Sequence, residues 1–266
     1  MKKGDRVMNI LITNDDGIEA AGIRLLAETA KKFGEAVAIA PVRQCSAMSH
    51  HITLNRDMDI REFDMGIEGV TAFSLDGTPA DCVRASYLGI FEGGEKPDMV
   101  FSGVNDGANC GFDIQYSATV GAAMEAVLYG IPAICFSQMQ GKDDVVLKKY
   151  IGETAEELIN KNAPEGTIWN VNFPSCGLDM YKGKLYERYP AHEAFFLDHY
   201  IRKERDDGSK YIAMESETVK EAEEGSDIRA LLDGYISIGN VKNSVLYQNL
   251  QLKSCVIENK IVLLQQ

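Results

Sequence analysis

A chain of 266 residues has the length for one large α/β domain, or for a core domain with a smaller appendage, and for a substantial buried core. Its 40 acidic against 27 basic residues leave a net charge of −13, which opposes sequence-independent binding to nucleic acid polymers or to an anionic membrane surface. The six cysteines, at 45, 82, 110, 135, 176 and 255, contain no Cys-x-x-Cys pair, so they offer neither a zinc ribbon nor a thioredoxin-type motif and read as reduced thiols.

The opening residues lead into a strand rather than an apolar signal segment, and no apolar stretch reaches bilayer-spanning length, so a soluble cytoplasmic protein is expected. The first apolar run, Met8 to Thr13, lacks alternation and fits a central parallel strand covered on both faces. It ends on Asn14-Asp15-Asp16-Gly17, two carboxylates at the carboxyl edge where open α/β sheets bind ligands. Ile23, Leu26, Ala30 and Phe33 then recur at helical spacing, with Gly34 expected to close the helix, and Ala36 to Ala40 reads as a second strand stopped by Pro41. A polar loop, Val42 to His51, follows. The segment from Ile52 to Ser74 reads as a pair of short strands. Thr78 as N-cap, Pro79 at the first helical position and Asp81 three residues after the cap predict a capping box on a helix reaching about Leu88.

Asp98 to Ser102 reads as a strand ending on a long loop rich in glycine and asparagine, Gly103 to Gly111, of the kind that binds ligands. Ser117 starts a helix through Tyr129, Ile131 to Ser137 supplies a strand, and Leu147, Tyr150, Ile151, Ala155 and Leu158 mark one face of a charged helix. Thr167 to Phe173 reads as the last core strand. Beyond Pro174 tyrosines and charges interleave, which places a soft boundary near Cys176, between a core at 1–176 and an extension at 177–266. The alternating tail from Ser244 to Leu264 is expected to pack as strands or as an arm on the core or on a partner subunit.

In a parallel sheet the loops after the first strands share one edge. A hard cation there finds charged ligands in Asp15 and Asp16 and neutral ones in the Ser46 hydroxyl and the Asn105 amide oxygen, which describes an open site for magnesium, manganese or calcium. The Ser117 to Thr119 helix start adds backbone N–H groups and hydroxyls that favour an anion such as phosphate. Together these point to phosphoryl chemistry.

The chain resembles the SurE family, the stationary-phase survival proteins that act as metal-dependent nucleotidases. The resemblance rests on five motifs in order: Ile10 to Ile18, Ala40 to Ser46, Gly77 to Val83, Ser102 to Asn105, and Tyr116 to Glu125, with a looser match at Asp227 and Gly234 to Ile238. It implies a doubly wound, mostly parallel Rossmann-like sheet with a carboxy-terminal β-rich extension and a swapped arm. It further implies one divalent metal on Asp15, Asp16, Ser46 and Asn105, hydrolysis of nucleoside monophosphates, and a homodimer or homotetramer. Asn109, Ser117 and Thr119 are expected to contact phosphate, the alternative being that they only cap helices and close turns. The chain departs from the family pattern at Ala118, where glycine is usual, at Ala47 to His51, and at Gly239-Asn240-Val241.

The expected mechanism is in-line attack by a metal-activated water, oriented by Asp15 or Asp16, without a covalent intermediate. His50 has two readings, proton donor to the leaving alcohol or packing histidine. Three other architectures fit less well. A receiver domain needs a phosphoacceptor aspartate after a later strand, an aspartate-nucleophile phosphatase needs Asp-x-Asp, and a dinucleotide module needs Gly-x-Gly-x-x-Gly.

Overall fold

The computed structural model describes residues 7–89, 91, 94–141, 143–161, 163–243 and 246. The expected arm at 244–264 therefore lies, but for residue 246, outside the described residues. The fold starts from β1 (Met8–Thr13), whose Ile10 and Ile12 face one side of the sheet and Leu11 the other, all fully buried. This is why the run is apolar without alternation. β1 is flanked in parallel by β2 (Gly34–Pro41) and β5 (Met99–Asp106). β4 (Val70–Leu75) adds in parallel beside β2, and β3 (Ile60–Glu62) closes that edge antiparallel. On the other side, β6 (Ala133–Gln138) and β7 (Thr167–Phe173) continue the parallel run.

The sheet is therefore wound outward from β1 in both directions, in the order β3-β4-β2-β1-β5-β6-β7. Helices cover both faces. α1 (Ala21–Ala30) and α4 (Val145–Lys161) pack against the Ile10 and Ile12 side, and α2 (Pro79–Ser86) and α3 (Ala118–Leu128) against the Leu11 side. The α2 capping box forms as expected, with Thr78 Oγ1 accepting from Asp81 N and Asp81 Oδ2 from Thr78 N. Among the described residues no helix is long and apolar enough to cross a membrane.

Two sequence expectations are corrected. Gly34 does not close α1, which ends at Ala30 with Lys31 as C-cap; it opens β2, where a Cβ would stand 2.0 Å from the Met8 carbonyl oxygen, and only glycine permits that strand approach. Nor is β7 the last core strand. β11 (Tyr235–Lys242) runs antiparallel beside it and buries Ile236 and Ile238 in the same core, with β8 (Gly183–Leu185) parallel on its outer side. Between β8 and β11 the chain forms a ribbon, β9 (Phe196–Glu204) paired antiparallel with β10 (Lys210–Thr218), and then α5 (Asp227–Leu232).

Candidate active site

β1 and β5 are neighbours, yet the chain proceeds from β1 toward β2 and only later crosses to β5. The crevice at their carboxyl ends is thus the switch point of the sheet, where doubly wound folds bind ligands. The acidic turn lies there. Asn14 closes it, its side chain donating to the Gly17 carbonyl at 2.9 Å and accepting from the Gly17 N–H at 3.2 Å. Asp15 is 3% exposed; its Oδ1 accepts from the Thr119 hydroxyl at 2.7 Å and its carbonyl from the Cys45 N–H at 2.7 Å. Asp16 is half-buried and bridges the crevice, with Oδ2 accepting from the Asp106 N–H at 3.2 Å and Oδ1 facing the Gln44 amide at 3.5 Å. One turn therefore touches the loop after β2, the end of β5 and the start of α3.

Burial pushes the Asp15 carboxyl up to about 6, the adjacent Asp16 charge adding to it and the Thr119 hydrogen bond opposing it. Asp16 is raised as well, by burial and by the Asp106 charge, against the Asp106 N–H bond. Two adjacent carboxylates withdrawn from water favour a positively charged partner. The neighbouring donors have matching chemistry. The Asn105 amide nitrogen is committed to the Gly107 carbonyl at 2.7 Å, so Oδ1 is the atom left for another partner. Ser46 is exposed one residue beyond Cys45, whose N–H is held by Asp15. Carboxylate, hydroxyl and amide oxygens form a hard donor set that fits magnesium or manganese.

At the start of α3, Ser117 is the N-cap, its hydroxyl accepting from the Val120 N–H at 3.1 Å. Thr119 is fully buried with its hydroxyl on Asp15, so the structure places it behind the carboxylate. Asn109 is also buried and is locked by β6 and β7: its N–H donates to Asn172 Oδ1 at 2.8 Å, its amide to the Ser137 hydroxyl at 2.7 Å, and its carbonyl accepts from Asn170 and Asn172. Sequence reasoning missed this lock. The available signal was Ser137 near the end of β6 and Asn170 and Asn172 within β7, polar residues in largely buried strands. Asp227 of α5 secures the far end of the same loop, accepting from the N–H groups of Gly111 and Ala191.

His50, in the loop after β2, packs against α3 beyond the Ser117 cap. Its Nε2 is 2.7 Å from Oε2 of Glu125, whose Oε1 accepts from Arg84 Nη1 of α2 at 3.1 Å. Burial opposes ionisation of Glu125, but the hydrogen bonds and charges of His50 and Arg84 outweigh it and hold the carboxyl below its usual value. Glu125 and Arg84 were not singled out from sequence as partners of His50. His192 and His199 lie on the surface.

The model of the Survival protein SurE family matches residues 10–191. The chain is 35% identical to the 5'-nucleotidase SurE of Thermoanaerobacter sp. (strain X514) over 235 residues, covering 87% of this chain and 90% of that one. It is 37% identical to the 5'-nucleotidase SurE of Aquifex aeolicus over 236 residues, covering 86% and 89%. The crystal structure of the Sure protein from Aquifex aeolicus superposes with a TM-score of 0.75 at 32% identity, covering 94% of this chain and 99% of that one. With this fold, this acidic switch-point turn and this extent of similarity, the chain belongs to the SurE family.

Proposed function

We propose that this protein is a phosphomonoesterase that hydrolyses nucleoside monophosphates, at the 5' or 3' position, to nucleoside and phosphate. The observation that carries the reading is the Asp15-Asp16 turn at the switch point, joined by hydrogen bonds to the Asn105 strand end, the Ser46 loop and the head of α3. The relatives' name, 5'-nucleotidase, supports it. One divalent cation, held by Asp15, Asp16, Ser46 and Asn105, supplies the positive charge that phosphoryl oxygens and an attacking water require. Asp15 and Asp16 orient that water. Thr119 fixes the Asp15 carboxylate, and Ser117 with the α3 N-terminus receives the phosphate. Asn109 keeps the Asn105 loop in register. Attack in line with the ester bond releases the nucleoside without a covalent intermediate.

The ribbon supports a subunit contact. Leu197, Tyr200, Ile212 and Met214 are exposed on a two-stranded element with no core of its own, an arrangement that a second copy of the chain would stabilise into a homodimer or homotetramer.

Phosphate release from a panel of nucleoside monophosphates tests the function, after chelation, after adding back magnesium or manganese, and in Asp15→Asn. Turnover that requires the cation and falls at least about 100-fold in the variant is expected, since removing an electrostatic contact to the reacting group costs on that order. Cation binding without turnover on any monophosphate would replace this reading with a regulatory or phosphate-binding module on the same scaffold.

A further inference from the structure

We propose that Glu125 is a positioning residue that fixes the tautomer of His50, so that Nδ1 is the ring atom from which a proton passes to the departing nucleoside oxygen. The identity of the leaving group rests on the nucleotidase reading above; the tautomer does not.

Glu125 is 3% exposed; its Oε1 accepts from Arg84 at 3.1 Å, its Oε2 lies 2.7 Å from His50 Nε2, and Tyr129 also bonds the carboxylate. An ionised carboxylate can only accept hydrogen bonds. A nitrogen 2.7 Å away must therefore carry a proton, and the distance is that of a charge-assisted bond. The alternative, a protonated Glu125 donating to a bare Nε2, is what burial alone would favour. Arg84 removes it by placing a permanent cation on the same carboxylate. With Nε2 bearing hydrogen, the neutral ring has its lone pair on Nδ1, and the imidazolium gives up its proton from Nδ1.

The backbone around His50 is as tightly placed as its ring. The Ser49 N–H donates to the Tyr116 carbonyl at 2.9 Å and the Ser49 hydroxyl to the Gln115 carbonyl at 2.7 Å. At Gly121, a Cβ would stand 2.4 Å from the Ser49 oxygen and 3.0 Å from the His50 Cα, so the loop lies directly on α3 just past the Ser117 cap. From α2, the Thr78 hydroxyl donates to the His51 carbonyl at 2.6 Å. The charged and titratable groups around this junction are Glu125 and Tyr129 of α3, Arg84 and Asp81 of α2, and His51 and Tyr116 beside the loop; Tyr129 bonds Glu125, and Asp81 is occupied by Thr53 and Thr78. Glu125 is the hydrogen-bond partner of the ring, which remains 34% exposed.

In the proposed step the P–O bond to the nucleoside breaks, the departing oxygen takes the Nδ1 proton, and the attacking water releases a proton to solvent. Solvent then returns a proton to Nδ1.

The test is 15N NMR of the histidine-labelled full chain from pH 5 to 9, with His50→Asn for assignment, beside pH profiles of kcat for wild type and Glu125→Gln. The expected wild-type signal above the titration midpoint is an Nε2–H ring with an unprotonated Nδ1. In Glu125→Gln, whose amide can donate as well as accept, the Nε2–H preference should weaken in the spectrum, and kcat should fall about 10- to 100-fold, as when an orienting carboxylate behind a histidine is removed. Glu125→Gln should add nothing further to His50→Asn. An Nδ1–H tautomer in the wild type, or an unchanged tautomer signal together with an unchanged kcat in Glu125→Gln, overturns the proposal. The wild-type spectrum decides the tautomer even if Glu125→Gln does not fold. Absence of turnover in the wild type would overturn the nucleotidase reading, and with it the leaving-group step, while leaving the tautomer to the spectrum.

Discussion

Asp227→Asn sets burial against hydrogen bonding at one carboxyl. Asp227 opens α5 at 3% exposure, and accepts from Gly111 N–H at 3.1 Å, Ala191 N–H at 3.0 Å and Ile228 N–H at 2.8 Å. Three donors favour the carboxylate and burial disfavours it; burial prevails and raises the group from 3.8 to about 6. The native state then holds the proton more tightly than the unfolded chain. The stabilisation from this group is complete below the unfolded value and is lost as pH rises through 6. A shift of about two units at roughly 1.4 kcal/mol each corresponds to about 3 kcal/mol in all, most of it between pH 4 and pH 7. Asparagine binds no proton in either state, and the other carboxyls cancel between the two proteins. Urea unfolding at intervals from pH 4 to 7 should therefore show the stability of wild type relative to Asp227→Asn falling by about 2 kcal/mol across that range. A difference that stays flat, or grows with pH, would show that the three N–H donors outweigh burial and would refute the reasoning.

Thr119→Val keeps the shape of a fully buried side chain while removing the donor on Asp15. Manganese affinity by calorimetry should weaken about 10- to 100-fold, the usual cost of losing an orienting contact behind a ligand; unchanged affinity would separate Thr119 from the cation site. On the ribbon, Tyr200→Glu combined with Ile212→Glu places charge on two exposed apolar positions. Sedimentation should show an assembled wild type and a monomeric variant, and an unaltered mass would remove the ribbon from the subunit contact.

Local chemistry explains what was readable along the chain. Ile10-Leu11-Ile12 announced a strand buried on both faces because neither face of β1 meets water. Thr78, Pro79 and Asp81 announced the start of α2 because a cap is satisfied within four residues. The loops that carry Asp15, Asp16, Ser46 and Asn105 could be read as sharing one edge because a parallel sheet brings successive loops to its carboxyl end. Gly34 was misread because its reason, contact with Met8, lies on another strand.

The sequence by itself determined the central strands, the cap of α2 and the acidic edge, all consequences of burial pattern and short-range hydrogen bonding. Tertiary structure alone decided the partners. Thr119 reaches Asp15 across 104 positions, Gly111 reaches Asp227 across 116, and His50 meets Glu125 across 75. β11 returns to β7 after the ribbon and α5 have intervened. No periodicity records such pairings, because each arises only when the sheet has closed and excluded the water that would otherwise satisfy those polar groups.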